Sequence, residues 1–168
     1  MAATVAIGEK IERKYLAHYL NATPGAEAAT YERLGSDLEE FSTELGAEVE
    51  TKKNILGETS VNLSSYEASA SVEPFYADKA SKLATLLQDI IDNRKVLDDA
   101  KTDYVEVHTW EEATSGKYTA YKETVVIEVT SYGGDYNGYQ IPFTLHFCGD
   151  RVKGKFDPAA KTFTADAA

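Results

Sequence analysis

Residues 139–148 read Tyr-Gln-Ile-Pro-Phe-Thr-Leu-His-Phe-Cys. The odd positions Tyr139, Ile141, Phe143, Leu145 and Phe147 are aliphatic or aromatic, and Gln140, Thr144, His146 and Cys148 fall on even ones. Successive side chains of a strand point to opposite faces, so this alternation specifies a strand with one buried and one polar face. The same period recurs upstream. Over 118–132 Tyr121, Val125, Ile127 and Val129 share one parity, and Lys122, Thr124 and Glu128 share the other. Over 103–110 Val105 and Val107 flank Glu106. Turn residues separate these runs: Thr114-Ser115-Gly116, Gly133-Gly134-Asp135 with Asn137-Gly138, and Gly149-Asp150. A last hairpin pairs 151–156 with 161–165 around Asp157-Pro158. The C-terminal half is antiparallel β.

Towards the N-terminus the period changes. Ala80, Leu83, Ala84, Leu87, Ile90 and Ile91 lie on one face of a helix over 78–93, with Asp78 as its expected N-cap. Residues 61–73 read as one strand ending before Pro74, and 30–43 as two strands around Gly35-Ser36-Asp37. Between them, 44–60 show no clean period and are expected to form a long loop, a feature that is usually functional. Residues 1–28 are expected to be an arm, in which Ile7, Ile11, Tyr15 and Leu16 line one side of a short helix broken at Pro24-Gly25. Residues 29–168 then form a single domain. The expected fold class is α+β and mainly β: a β-sandwich or partial barrel with one flanking helix.

Composition narrows the function. The chain has 168 residues, 43% apolar and 27% charged, which suits one globular domain. A single cysteine, Cys148, excludes an intrachain disulfide framework and a Cys-rich zinc site. No apolar run approaches the roughly 20 residues of a spanning helix, and the N-terminus lacks the apolar core of a secretory signal. A cytoplasmic site of synthesis and no membrane partner are expected. The net charge of −11 opposes any grip on nucleic-acid phosphates.

The search for chemistry is negative. No phosphate-binding glycine loop, dinucleotide fingerprint, metalloprotease helix or nucleophile elbow occurs. His146 and Cys148 share a strand face, which reads as a polar or interfacial face rather than a nucleophile pair. Asp98, Asp99 and Asp103 lack the glycine and distal glutamate of a calcium loop. Glu39-Glu40 and Glu111-Glu112 are neighbours that a strand would point apart. No catalytic, cofactor or metal residue is expected. Charge is instead segregated. Residues 32–58 carry eight acids and three bases, a net −5, while Arg151, Lys153, Lys155 and Lys161 mark the last hairpin. Two readings fit: solvated faces, or self-complementary surfaces that join copies head to tail.

Several stretches resemble the tail tube (major tail) proteins of long-tailed bacteriophages. They are Tyr31-Glu-Arg-Leu-Gly35, Asp37-Leu-Glu-Glu-Phe41, Val49-Glu-Thr-Lys-Lys-Asn-Ile-Leu-Gly57-Glu-Thr-Ser60, Tyr66-Glu-Ala-Ser-Ala-Ser-Val-Glu-Pro74 and the helix that follows Tyr76. With the order of the C-terminal strands, the resemblance covers about residues 28–165. It implies a virion structural protein without enzymatic activity. Six copies would form a ring, and stacked rings a hollow tube that conducts double-stranded DNA without binding it. Assembly would occur in the bacterial host cytoplasm, with tape measure, tail terminator and distal tail proteins as further partners. The resemblance also implies that the long loop reaches a neighbouring ring, through Glu44, Glu48, Glu50, Lys52, Lys53, Asn54, Ile55 and Leu56. Arg151, Lys153 and Lys155 would form a basic assembly face. By alternation alone, Glu106, Lys122, Thr124, Glu128 and Thr144 line either a lumen or the outer surface, since a one-residue shift in register reverses every assignment. The tube of a genome-free contractile particle or tail-like bacteriocin is the first alternative. An intracellular enzyme or ligand-binding β-domain is the second.

Overall fold

The computed structural model describes residues 5–167. Its strands are β1 (Leu16–Asn21), β2 (Tyr31–Leu34), β3 (Thr43–Glu44), β4 (Ala47–Lys53), β5 (Thr59–Tyr66), β6 (Ser69–Val72), β7 (Lys101–His108), β8 (Tyr118–Val129), β9 (Gly133–Asp135), β10 (Gly138–Gln140), β11 (Phe143–Asp157) and β12 (Thr162–Ala165). Helix α1 spans Lys82–Asn93. The main sheet runs β2-β1-β7-β8-β11-β6-β3, antiparallel throughout. The long β11 pairs with β6 through Phe143 to His146, and with β12 through Gly154 to Asp157.

Both faces of this sheet are covered, at different ends. On one face Leu20, Tyr104, Val125, Ile127, Phe143 and Leu145 form a core with Leu83, Leu87, Ile90 and Ile91 of α1. On the other, Ala17, Tyr19, Val105, Val107, Ala120 and Phe156 form a second core. Strand β7 feeds both, because Tyr104 stands opposite Leu20 and Val105 opposite Tyr19. Phe156 of β11 packs on Tyr19 of β1 and Tyr31 of β2, with ring centroids 4.5 and 5.7 Å apart. In a flat sheet those strands would be about 14 and 19 Å from β11 at the usual spacing of about 4.8 Å. The sheet therefore curls into a half-barrel, which is how one alternating strand set acquires two cores.

The helix starts one turn later than its periodicity suggests. Ser81 is the N-cap, its Oγ accepting from the Ala84 amide at 3.1 Å. Asp78 instead closes the preceding turn on the Ala80 amide. Glu32 of β2 accepts from Ser81 Oγ at 2.6 Å and from the Lys82 amide at 2.7 Å. A carboxylate at the helix N-terminus satisfies free amides and complements the dipole, and here it fastens α1 to the sheet.

Five N-terminal expectations change. Residues 16–21, read as part of an arm, are the buried second strand of the sheet. No α-helix precedes them in the described residues; Arg13–Tyr15 make one 3-10 turn, and Ile7 and Ile11 are exposed. The second strand read in 30–43 is replaced by turns ending in β3. The long loop of 44–60 is a β-hairpin, β4–β5, and the strand of 61–73 splits into β5 and β6 at Glu67-Ala68. Gly46 enables the split. Its φ is 55°, and a Cβ there would lie 2.4 Å from the Glu67 carbonyl oxygen. At the C-terminal end, Gly149-Asp150 is not a turn but an irregularity within β11, between Cys148 and Val152.

Candidate functional site: the projecting hairpin and the sheet faces

Every residue of β4 and β5 is exposed. The register sets Val49 opposite Leu63, Thr51 opposite Val61 and Ala47 opposite Tyr66, so these residues share one face of the hairpin. Glu48, Glu50 and Lys52 occupy the other, where Lys52 Nζ lies 3.1 Å from Glu50 Oε2. The hairpin is therefore amphipathic, with its apolar stripe open to solvent. At its tip Asn54 Oδ1 accepts from the amides of Leu56 and Glu58, each at 3.0 Å, and its Nδ2 donates to Glu58 Oε2 at 2.7 Å. One side chain thus shapes a tip that presents Ile55 and Leu56 fully outward. Seven of the eight expected stacking residues fall here, Glu48, Glu50, Lys52 and Lys53 on β4 and Asn54, Ile55 and Leu56 at the tip, whereas Glu44 lies in β3 of the main sheet, opposite Ser69.

Polar side chains gather at the hairpin's base. Arg151 Nη2 donates to Glu106 Oε1 at 2.8 Å, and Nη1 to Glu123 Oε2 at 2.6 Å, with the guanidinium 4.4 Å from the Tyr121 ring centroid. His108 Nε2 lies 2.9 Å from Glu106 Oε1, and its ring stacks on Trp110. Burial opposes the Glu106 charge, but His108 and Arg151 outweigh it and hold the carboxyl below its usual range. Beside it, buried His18 bonds through Nδ1 to the Tyr104 hydroxyl and through Nε2 to Arg13 at 2.8 Å. Burial, then the Arg13 charge, pushes His18 down to about 4, and burial raises the Tyr104 hydroxyl. The sequence carries no signal for this unit, because Arg13, His18 and Tyr104 meet only through β1–β7 pairing.

Two expected groupings are altered. Lys122, Thr124, Glu128 and Thr144 share one face of the sheet, since Thr144 stands opposite Glu128 and Lys122 lies two positions before Thr124. Glu106 is on the opposite face, because β7 registers it against Tyr121, not Lys122. His146 joins the first four, its Nε2 2.5 Å from Glu128 Oε2, and Asp103 lies 4.0 Å from Lys122. The basic face is also divided. Arg151 is neutralised internally by Glu106 and Glu123, Lys155 donates to Thr119 Oγ1 at 3.1 Å, and Lys153 is exposed. Asp98 forms an ion pair with Lys101 at 2.6 Å. Among the described residues no group of three or more His, Cys, Asp or Glu could hold a metal ion, and no helix is long and apolar enough to cross a membrane.

The fold has a counterpart of known structure. The chain is similar to the sheath/tube terminator of an extracellular contractile injection system, PVC, in its extended state, with a TM-score of 0.53 and 10% identity over 88% of this chain and 99% of that one. At that identity the likeness is one of fold: a mainly β, tail-type half-barrel with a flanking helix. No protein-family model and no curated protein matches the chain at the level of sequence.

Proposed function

We propose that this chain is a non-enzymatic, self-assembling subunit of a phage-tail-like particle, and that its copies form hexameric rings stacked into a tail tube. The observation that carries the reading is the hairpin β4–β5, an ordered element whose apolar face is left uncovered on a fold similar to a tail-assembly protein. An isolated two-stranded hairpin is marginal in water, and an exposed apolar stripe is a feature of interfaces. A neighbouring ring would cover it. Lys122, Thr124, Glu128 and Thr144 would then line the bore, where mixed charge and hydroxyls offer double-stranded DNA no continuous cationic track. In this reading the protein belongs to a virion and meets tape measure, terminator and distal tail proteins.

The likeness to a sheath/tube terminator favours a second reading, a component of a genome-free contractile device, either its tube or its terminator. Negative-stain electron microscopy of the purified chain, across concentration and salt, separates these. Long hollow tubes support a tube subunit, and a resolved map of them would show which side chains face the bore. Single rings that never lengthen support a terminator. Monomers at every concentration, even with an initiating tail complex added, would refute self-assembly.

A further inference from the structure

We propose that the hairpin tip of one copy seats in a socket on the α1 flank of a second copy; the proposal rests on the self-assembly reading above and names its contact surfaces. The tip is a preformed knob. Asn54 orders it and holds Glu58, Ile55 and Leu56 project from it, and Lys53 and Lys52, the latter paired with Glu50, flank it. Among the described residues Lys53 has no ion-pair partner. Its complement should be a small apolar floor with an acidic rim.

A cavity on the α1 flank has that character. It holds about 500 Å³ between α1 and β10 and is floored by Ala84, Ile141 and the Tyr139 ring, whose hydroxyl donates to Gln88 Oε1 at 2.8 Å. Exposed Asp78 and Asp92 stand on its rim, with Lys79 the single base there. Asp89 also lines it but is already engaged by Lys95 and Asn93. A narrower cleft beside the N-terminus of α1 also carries acids, Glu32, Asp37 and Asp78, over Leu34, Val72 and Phe75, but it holds about 240 Å³ and its Glu32 is bound by Ser81 and the Lys82 amide; the cleft at the hairpin's base has its acids Glu106 and Glu123 neutralised by Arg151. A cleft near β1 is lined by Arg13, Lys14 and Arg33, which would repel the knob's lysines. Another, on the opposite flank of α1, carries Lys82, Lys95 and Lys101.

The knob does not occupy the socket of its own chain, since Ile55 is fully and Leu56 largely open to solvent. The seven residues of β4 carry the tip about 23 Å from the hinge at Gly46. A second copy is the occupant that both the apolar match and the opposite charge select. Knob and socket are different surfaces, so the contact is heterologous and propagates from copy to copy.

The test titrates a cyclised peptide of residues 51–60 into the isotopically labelled full chain carrying I55D/L56D, read by amide chemical shifts. Sedimentation of the wild type is compared with T85W, which plugs the socket from an exposed position, and with D78K/D92K. The expected result is shifts confined to α1 and Tyr139, loss of assembly in both socket variants, and recovery when D78K/D92K is combined with K52E/K53E. No shift at millimolar peptide, shifts elsewhere, or socket variants that assemble like wild type would overturn the contact. If the wild type never assembles but the peptide still seats on α1, the tube reading fails and the contact stands. If the wild type assembles and the peptide does not bind, the reverse holds.

Discussion

Strand β11 and hairpin β4–β5 are written in the same local pattern and meet opposite fates. Phe143 and Leu145 alternate with Thr144 and His146, and the apolar pair is buried. Val49, Val61 and Leu63 alternate with Glu48, Glu50 and Asn62, and the apolar set stays exposed. Alternation therefore specifies a strand and which residues share its face, but not what covers that face. In the sheet the cover is α1 and the curl of the sheet on itself. At the hairpin the described residues supply no cover, and in the proposed assembly a second copy supplies it.

Deleting residues 52–57 should break the comparison most completely: a folded chain with an unchanged melting temperature that forms no tubes or rings. Assembly of that variant to normal length would show the hairpin to be dispensable. Phe156→Ala should act in the opposite sense, since Phe156 links β11 to β1 and β2 across the curled sheet. A loss of about 3–5 kcal/mol in denaturant unfolding is expected.

His18 places a pH dependence in the body. Its folded value of about 4 lies below the ordinary 6.5, so between those values the unfolded chain holds a proton that the folded chain lacks. Its contribution is complete above pH 6.5 and is lost as pH falls towards 4, amounting to about 3 kcal/mol for a shift of this size. His18→Leu should lower stability at neutral pH, because Tyr104 and Arg13 lose a partner, and flatten the stability profile across that window. An unchanged slope would place the titration elsewhere. The smallest effect belongs to the hairpin: Leu63→Ser should alter monomer stability by under about 0.5 kcal/mol, as an exposed site does, while weakening assembly. A larger loss by denaturant titration would mean that the stripe is covered within the monomer.

Legibility followed the range of the interaction. The helix was readable because Leu83, Leu87 and Ile90 repeat with the helical period, and its cap was misplaced because Ser81 is recruited by Glu32 from a strand 49 residues earlier. In sequence the hairpin reads as a loop because Val49 is the one large apolar residue of β4. Thr144 joins Lys122, Thr124 and Glu128 through the β11–β8 register, while the shared face of those three is readable from parity within β8. The separation of Glu106 from them is not, because it depends on the register between β7 and β8.

Local elements are legible along the chain: alternating runs in the C-terminal half, one amphipathic helix, and turns such as Ser115-Gly116, where both residues adopt positive φ. These follow from backbone sterics and side-chain periodicity within a few residues. Long-range pairing makes Leu16–Asn21 a sheet strand, puts two cores on opposite faces, neutralises Arg151 with Glu106 and Glu123, and leaves β4–β5 uncovered by the described residues. Each of these depends on pairings between residues far apart in the chain, where register and curl, rather than local preference, set which side chains meet.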